Sequence, residues 1–230
     1  MKKIQHLLPA IISTALFIIW TILVKTVDVQ YISNIGFLGF YNLNISVNEK
    51  IQAMNVDLFD KVSDVLLFIS LATIIPFAVV GVVQLIKNKS LKKVDPVLYI
   101  MLLGYVLMLA CYFIFEIMNV NASPVSTPEK IKPSYPSSHV LAFLSLSFIA
   151  LTGLFHFVDL EKQFKIVFIV CFALADVCMV VTRLLSGQHY LTDIIGGILL
   201  SASVITIVYG VYKLLNVENA KEISKENENA

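Results

Sequence analysis

The chain has 230 residues, of which 58% are hydrophobic and 14% charged, with a formal net charge of +1 and a mean hydropathy of +0.84. A soluble domain carries about 25% charged residues, so the composition excludes one and indicates a polytopic membrane protein. The near-neutral balance, without a basic arm or an aromatic stacking platform, gives no reason to expect a nucleic-acid partner.

A hydrocarbon core about 30 Å thick takes roughly 20 apolar residues per helix. Six segments meet that length, at 7 to 25, 62 to 87, 96 to 118, 138 to 157, 165 to 183 and 190 to 214. The expected fold is therefore all-α, a six-helix bundle with both termini on one side. The first span follows Lys2 and Lys3 as a signal peptide would, yet its run exceeds an h-region of about 7 to 15 residues. Trp20 and Lys25 close it where small residues would mark a cleavage site, so it reads as a retained helix.

Between the first two spans, residues 26 to 61 form a long outer loop. Its stretches Tyr31-Ile-Ser-Asn-Ile-Gly-Phe-Leu-Gly-Phe40 and Asn48-Glu-Lys-Ile-Gln-Ala-Met-Asn-Val-Asp-Leu-Phe59 suit a segment lying at the membrane interface to gather a lipid. A loop packed over the bundle fits them equally well. The loop from Lys87 to Lys93 carries the clearest orienting signal, Lys87, Lys89, Lys92 and Lys93. With the N-terminus, Lys162, Lys165 and the tail, that side holds 11 of the 17 Lys and Arg. The positive-inside tendency then makes the termini cytoplasmic and turns the loops at 26 to 61, 119 to 137 and 184 to 189 outward, in a multi-pass protein of the cell membrane.

Cys111, Cys171 and Cys178 fall inside spans without a CxxC pair, which reads as buried small apolar residues rather than a disulfide or metal site. His6 and His156 fall at cytoplasmic span ends and read as interfacial. Asp176, mid-span, reads as one end of an interhelical hydrogen bond or as a neighbour of the site. Gly196 and Gly197 suit close helix packing. Residues 217 to 230, rich in Glu, Asn and Lys, read as a disordered tail, which leaves 1 to 216 as one membrane domain.

Four ionisable residues converge on the outer ends of three spans: His139, Arg183, His189 and Asp193. Such groups at membrane depth are expensive and usually functional. His189 and Asp193 are spaced i, i+4 and share a helix face, where an Asp bonded to one ring nitrogen would fix the tautomer of the other. Leu184-Leu-Ser-Gly-Gln188 is a tight turn in which Gly187 supplies backbone freedom, returning Arg183 to the same pocket. Gln188 and Tyr190 flank the histidine and are placed to shape the pocket, although aromatic anchoring at the membrane interface accounts for Tyr190 nearly as well. Pro136 starts the fourth span, with Ser137 and Ser138 at its N-terminus, where free amides and the helix dipole favour an anion. His139 is aimed at that anion. A guanidinium, two imidazoles and a carboxylate are the groups that phosphoryl transfer through a phosphohistidine requires.

Pro136-Ser137-Ser138-His139 and Thr182-Arg183-x5-His189-x3-Asp193 resemble the second and third signatures, Pro-Ser-Gly-His and Ser-Arg-x5-His-x3-Asp, of the membrane-bound type 2 phosphatidic acid phosphatases, relatives of the vanadium haloperoxidases. Ser138 and Thr182 are the single departures in each. The resemblance implies a phosphatase without a metal or other cofactor, in which His189 is the nucleophile, Asp193 orients it, His139 protonates the leaving oxygen and Arg183 binds phosphate with Ser137 and Ser138. The family's first signature, Lys-x6-Arg-Pro, has its positional counterpart at Glu116-x6-Ser123-Pro124, where both basic residues are missing. Lys130 and Lys132 are the candidates to supply that charge from a shifted position.

The sequence therefore points to a lipid phosphate or lipid pyrophosphate phosphatase. Phosphatidate, phosphatidylglycerophosphate and a polyprenyl carrier such as undecaprenyl pyrophosphate all present a suitable phosphate, and by the resemblance a recycled envelope carrier is the first candidate. The alternatives are a catalytically weakened member that binds phospholipid headgroups or assists envelope assembly, and a small transporter. A transporter calls for polar residues along a crossing path, whereas these cluster at one face.

Overall fold

The structure is a computed structural model describing residues 4–32, 35–52 and 56–228. Lys2 and Lys3, and the parts of the expected interfacial and tail segments at 33–34, 53–55 and 229–230, lie outside the described residues. Helix α1 (Leu8–Thr26) opens with Pro9 in its first turn, where a missing N–H costs nothing. An antiparallel hairpin of β1 (Gln30–Ile32) and β2 (Gly36–Leu38) follows, with Tyr31 opposite Phe37, and then α2 (Tyr41–Gln52). Among the described residues, six helices are long and apolar enough to cross a membrane, at Leu8–Thr26, Asp57–Asn88, Pro96–Met118, Ser138–Phe157, Lys162–Leu185 and Leu191–Leu215.

The second span differs from the sequence expectation. It is two helices, α3 (Val56–Ala72) and α4 (Ile74–Asn88), interrupted at Thr73. Pro76 has no N–H for the carbonyl of Ala72 and crowds that turn. Thr73 closes the gap against Ser70, its N–H 3.1 Å and its Oγ1 2.6 Å from the Ser70 carbonyl. The helix also begins before residue 62, which carries Asp57, Asp60 and Lys61 out of the expected loop and onto α3.

Helix α5 (Pro96–Met118) starts on Asp95, whose carboxylate accepts the Val97 N–H at 2.9 Å. It ends at Asn119 in the left-handed region, φ 41°. The loop to α6 (Ser138–Phe157) pairs Ala122 with Pro133 and Thr127 with Lys130. Helix α7 (Lys162–Leu185) and α8 (Leu191–Glu228) complete the chain.

At the centre stands α8, packed on α1, α5 and α6, while α3 and α7 pack on the other side of α6. Phe17, Phe115 and Tyr135 interlock near the α5–α6 loop, with ring centroids 5.3 to 6.4 Å apart. The Tyr135 hydroxyl lies 2.7 Å from Thr21 Oγ1, pinning the segment before α6 to α1. Over the same end, buried Asn44 bonds the Gly39 carbonyl at 2.7 Å and Thr192 Oγ1 at 2.9 Å. Helix α2 is thereby packed over the bundle, whereas Tyr31 and Phe37 of the hairpin stay exposed. Cys171 and Cys178 are exposed on α7 and only Cys111 is part-buried, a correction to the expectation of three buried thiols: they face outward on a helix whose other face meets the bundle. At the opposite end, His156 Nε2 sits 2.9 Å from Asp95 Oδ2 and ties α6 to the start of α5.

Candidate active site

Arg183 on the last turn of α7, His189 just ahead of α8, Asp193 on its first turn and His139 on the first turn of α6 meet at one end of the bundle. Gly187 permits the meeting, its φ of 66° turning the chain between α7 and α8. On α8, a Cβ at Gly197 would lie 2.9 Å from the Ser137 carbonyl, so the bare glycine lets α8 press against the start of α6.

His189 is 8% exposed. Its Nδ1 lies 2.9 Å from the Ser134 carbonyl, which can only accept, so Nδ1 carries the hydrogen and Nε2 the lone pair. Nε2 in turn lies 3.3 Å from the Arg183 guanidinium. Burial, reinforced by the Arg183 charge and by His139, holds the His189 imidazole well below the ordinary histidine range, so it is neutral and able to attack as a nucleophile.

Asp193 does not hold this tautomer by a direct bond, contrary to the expectation from the i, i+4 spacing. Its Oδ2 is 4.0 Å from His189 Nδ1. The carboxylate is engaged elsewhere: Oδ2 accepts the Tyr190 N–H at 2.9 Å and Oδ1 accepts Asn121 Nδ2 at 2.9 Å. The first of these closes the N-terminus of α8 as the acidic member of a capping box does. Asn121 also holds Gly39 and Thr192, so one amide knits the hairpin, the α5–α6 loop and the α8 start together.

Ser137 is fully buried at the N-cap of α6, its N–H on the Asp193 carbonyl at 3.0 Å and its Oγ without a partner. Arg183 Nε and His139 Nδ1 are likewise buried and unpartnered among the described residues. Ser138 begins the helix and lines a cavity of about 30 Å³ with His189, Ser134 and Glu116, room for a water or two. Ser138 and His139 also end a second, apolar cavity of about 320 Å³ between α3, α5 and α6, which Leu67, Leu71, Met108 and Leu141 line.

Lys130 and Lys132 make no side-chain hydrogen bond to Arg183, His189, Asp193 or His139 among the described residues. Both are exposed, and their backbone groups are spent on the loop's own pairing, Lys130 with Thr127 and Lys132 with Ser123 and Ser126. Ser123 also donates its hydroxyl to the Gln188 carbonyl at 2.9 Å, bracing the turn before His189. Thr182 turns its hydroxyl back onto the Cys178 carbonyl at 2.7 Å and so contributes no group to the pocket.

Sequence reasoning missed two carboxylates. Asp60 Oδ1 lies 2.7 Å from Arg183 Nη1, with Ser63 Oγ at 3.3 Å from the same nitrogen. Asp64 Oδ1 lies 3.0 Å from His139 Nε2. The signal was present: two acids one helical turn apart at the outer start of an apolar span are as costly as the four groups already singled out.

The family model of the PAP2 superfamily matches residues 113–216, which hold both histidines, Arg183 and Asp193. The fold resembles the crystal structure of a transmembrane PAP2-type phosphatidylglycerolphosphate phosphatase from Bacillus subtilis, with a TM-score of 0.63 at 14% identity over 89% of this chain and 96% of that one. No curated protein sequence matches the chain.

Proposed function

Residues 113–216 belong to the PAP2 superfamily, and on that premise we propose that this integral membrane protein is a lipid phosphate or lipid pyrophosphate phosphatase working through a phosphohistidine. The observation that carries the reading is the placement of His189, with Nδ1 on the Ser134 carbonyl at 2.9 Å and Nε2 turned to the Arg183 guanidinium at 3.3 Å. Nε2 attacks phosphorus, Arg183 and the buried Ser137 hydroxyl receive the phosphoryl oxygens, and His139 protonates the leaving oxygen. Water then cleaves the phosphorus–nitrogen bond. A guanidinium and helix-end amides supply the positive field for the developing charge.

The apolar cavity ending at Ser138 and His139 suits a lipid chain whose phosphate enters the polar end, which supports a lipid substrate over a soluble phosphate ester. The lysine distribution supports cytoplasmic termini and a site at the outer face. In this proposal residues 1 to 216 form one six-helix, phosphatase-like membrane domain.

A second reading is favoured by Asp60 on Arg183, Asp64 on His139 and Glu116 in place of a basic residue: a headgroup-binding protein with weakened turnover. Phosphate release from phosphatidate, phosphatidylglycerophosphate and polyprenyl pyrophosphate, by purified protein in detergent with and without EDTA, separates the two. We expect release by the wild type in EDTA and a loss of about 10³-fold or more in His189→Ala. Headgroup binding without release from any substrate would establish the second reading.

A further inference from the structure

The carboxylate of Asp64 and the ring of His139 come from positions 75 apart in the chain and meet across the α3–α6 contact at 3.0 Å. A carboxylate only accepts, so His139 Nε2 carries a hydrogen there. The opposite ring nitrogen, Nδ1, is buried with no partner among the described residues. The other charged or titratable groups facing this ring are Asp60 on α3, Arg183 on α7 and His189 ahead of α8, with Tyr112 of α5 in the shared apolar cavity. Asp60 is committed to Arg183 at 2.7 Å, which leaves Asp64 as the carboxylate of His139.

Position along the cavity gives this pair a side. Leu67 and Leu71 follow Asp64 by about one and two turns of α3 and line the apolar cavity together with Ser138 and His139. A lipid chain seated in that cavity would bring the leaving oxygen of its phosphate toward His139, which lines it.

We infer that Asp64 is a positioning residue for His139, holding the ring through Nε2–H so that Nδ1, when it carries a proton, delivers it to the leaving oxygen. This inference rests on the phosphatase reading above. As the bond from His189 Nε2 to phosphorus forms and the bond from phosphorus to the leaving oxygen breaks, that oxygen takes the electron pair and the Nδ1 proton. His139 becomes neutral, its Nε2–H still on Asp64. In the second half, Nδ1 takes a proton from water as the new phosphorus–oxygen bond forms, and the broken phosphorus–nitrogen bond returns its pair to His189. The cycle consumes one water and leaves both histidines as they began.

The test is the pH dependence of phosphate release by wild type, Asp64→Asn and Asp64→Glu, from about pH 5 to 9, the range over which histidines titrate. Asp64→Asn is expected to lower kcat by about 10²-fold, to leave KM unchanged and to move the alkaline limb of kcat to lower pH, and Asp64→Glu to recover part of both effects. Superimposable profiles would overturn the inference. Carbon-13 histidine NMR of the same proteins, with His139 assigned by its loss in His139→Gln, reads the pairing without turnover. Its midpoint should fall by about one pH unit or more in Asp64→Asn, and an unchanged midpoint overturns the pairing even if kcat falls. No release by the wild type from any lipid phosphate, with the midpoint shift intact, instead removes the phosphatase reading and the donor role with it.

Discussion

At the scale of single residues, the site separates two duties that the spacing of His189 and Asp193 had joined. The Ser134 carbonyl fixes the tautomer of His189, and Asp193 fastens the start of α8 by accepting from Tyr190 and Asn121. Replacing Asp193 by Asn leaves a single acceptor oxygen for those two donors, so one buried N–H loses its partner at a cost of about 1–3 kcal/mol. Asp193→Asn should therefore melt at lower temperature, and its kcat should fall on the order of tenfold, far less than in His189→Ala, because the tautomer survives. Thermal unfolding in detergent beside phosphate release checks this, and a loss as deep as that of His189→Ala with unchanged melting would return Asp193 to the orienting role. The four ionisable groups of the motifs were legible because charge in an apolar span is conspicuous. The backbone partner of His189 was not, because a carbonyl has no residue code, and neither was Asn121, whose importance lies in what it touches.

Among the elements, the spans followed from apolar length alone, while their ends and contacts did not. The start of α3 was hidden because Asp57, Asp60 and Lys61 interrupt the apolar run. Asp60 is accommodated there only through a guanidinium 123 positions away, a compensation that no local window contains. The contact of α8 with the 134–137 segment is similar, since Gly196 and Gly197 announced close packing but not its partner. A Cβ at Gly196 would lie 2.5 Å from Tyr135 Cε2, and Tyr135 is 2% exposed and held to Thr21. Its ring cannot yield without moving Ser134, the acceptor for His189. Overpacking of this kind costs about 1–3 kcal/mol, so Gly196→Ala should lower both the melting temperature and kcat, and Tyr135→Leu in the same chain should restore part of the melting temperature. Wild-type behaviour of Gly196→Ala would show that α8 and the 134–137 segment are free to separate.

For the whole molecule, six spans place both ends of the chain on one side of the membrane and the candidate site at the other end of the bundle, and only the charge distribution says which side is which. Lys87, Lys89, Lys92 and Lys93 lie between α4 and α5, at the end where His156 meets Asp95. Lys130 and Lys132 lie in the α5–α6 loop, beside the site. Short loops rich in lysine stay cytoplasmic because translocating them opposes both the insertion machinery and the membrane potential. Lys92→Cys should therefore be shielded, and Lys130→Cys open, to a membrane-impermeant maleimide applied to intact cells. The background is Cys111→Ser, Cys171→Ser and Cys178→Ser, which removes the native thiols. Permeabilised cells should label at both positions. Labelling at Lys92→Cys alone in intact cells would invert the protein and place the histidines on the cytoplasmic leaflet. The direction of insertion decides which leaflet's lipids meet the pocket, and this labelling tests whether the lysines of the α4–α5 loop, at the far end of the bundle, set it.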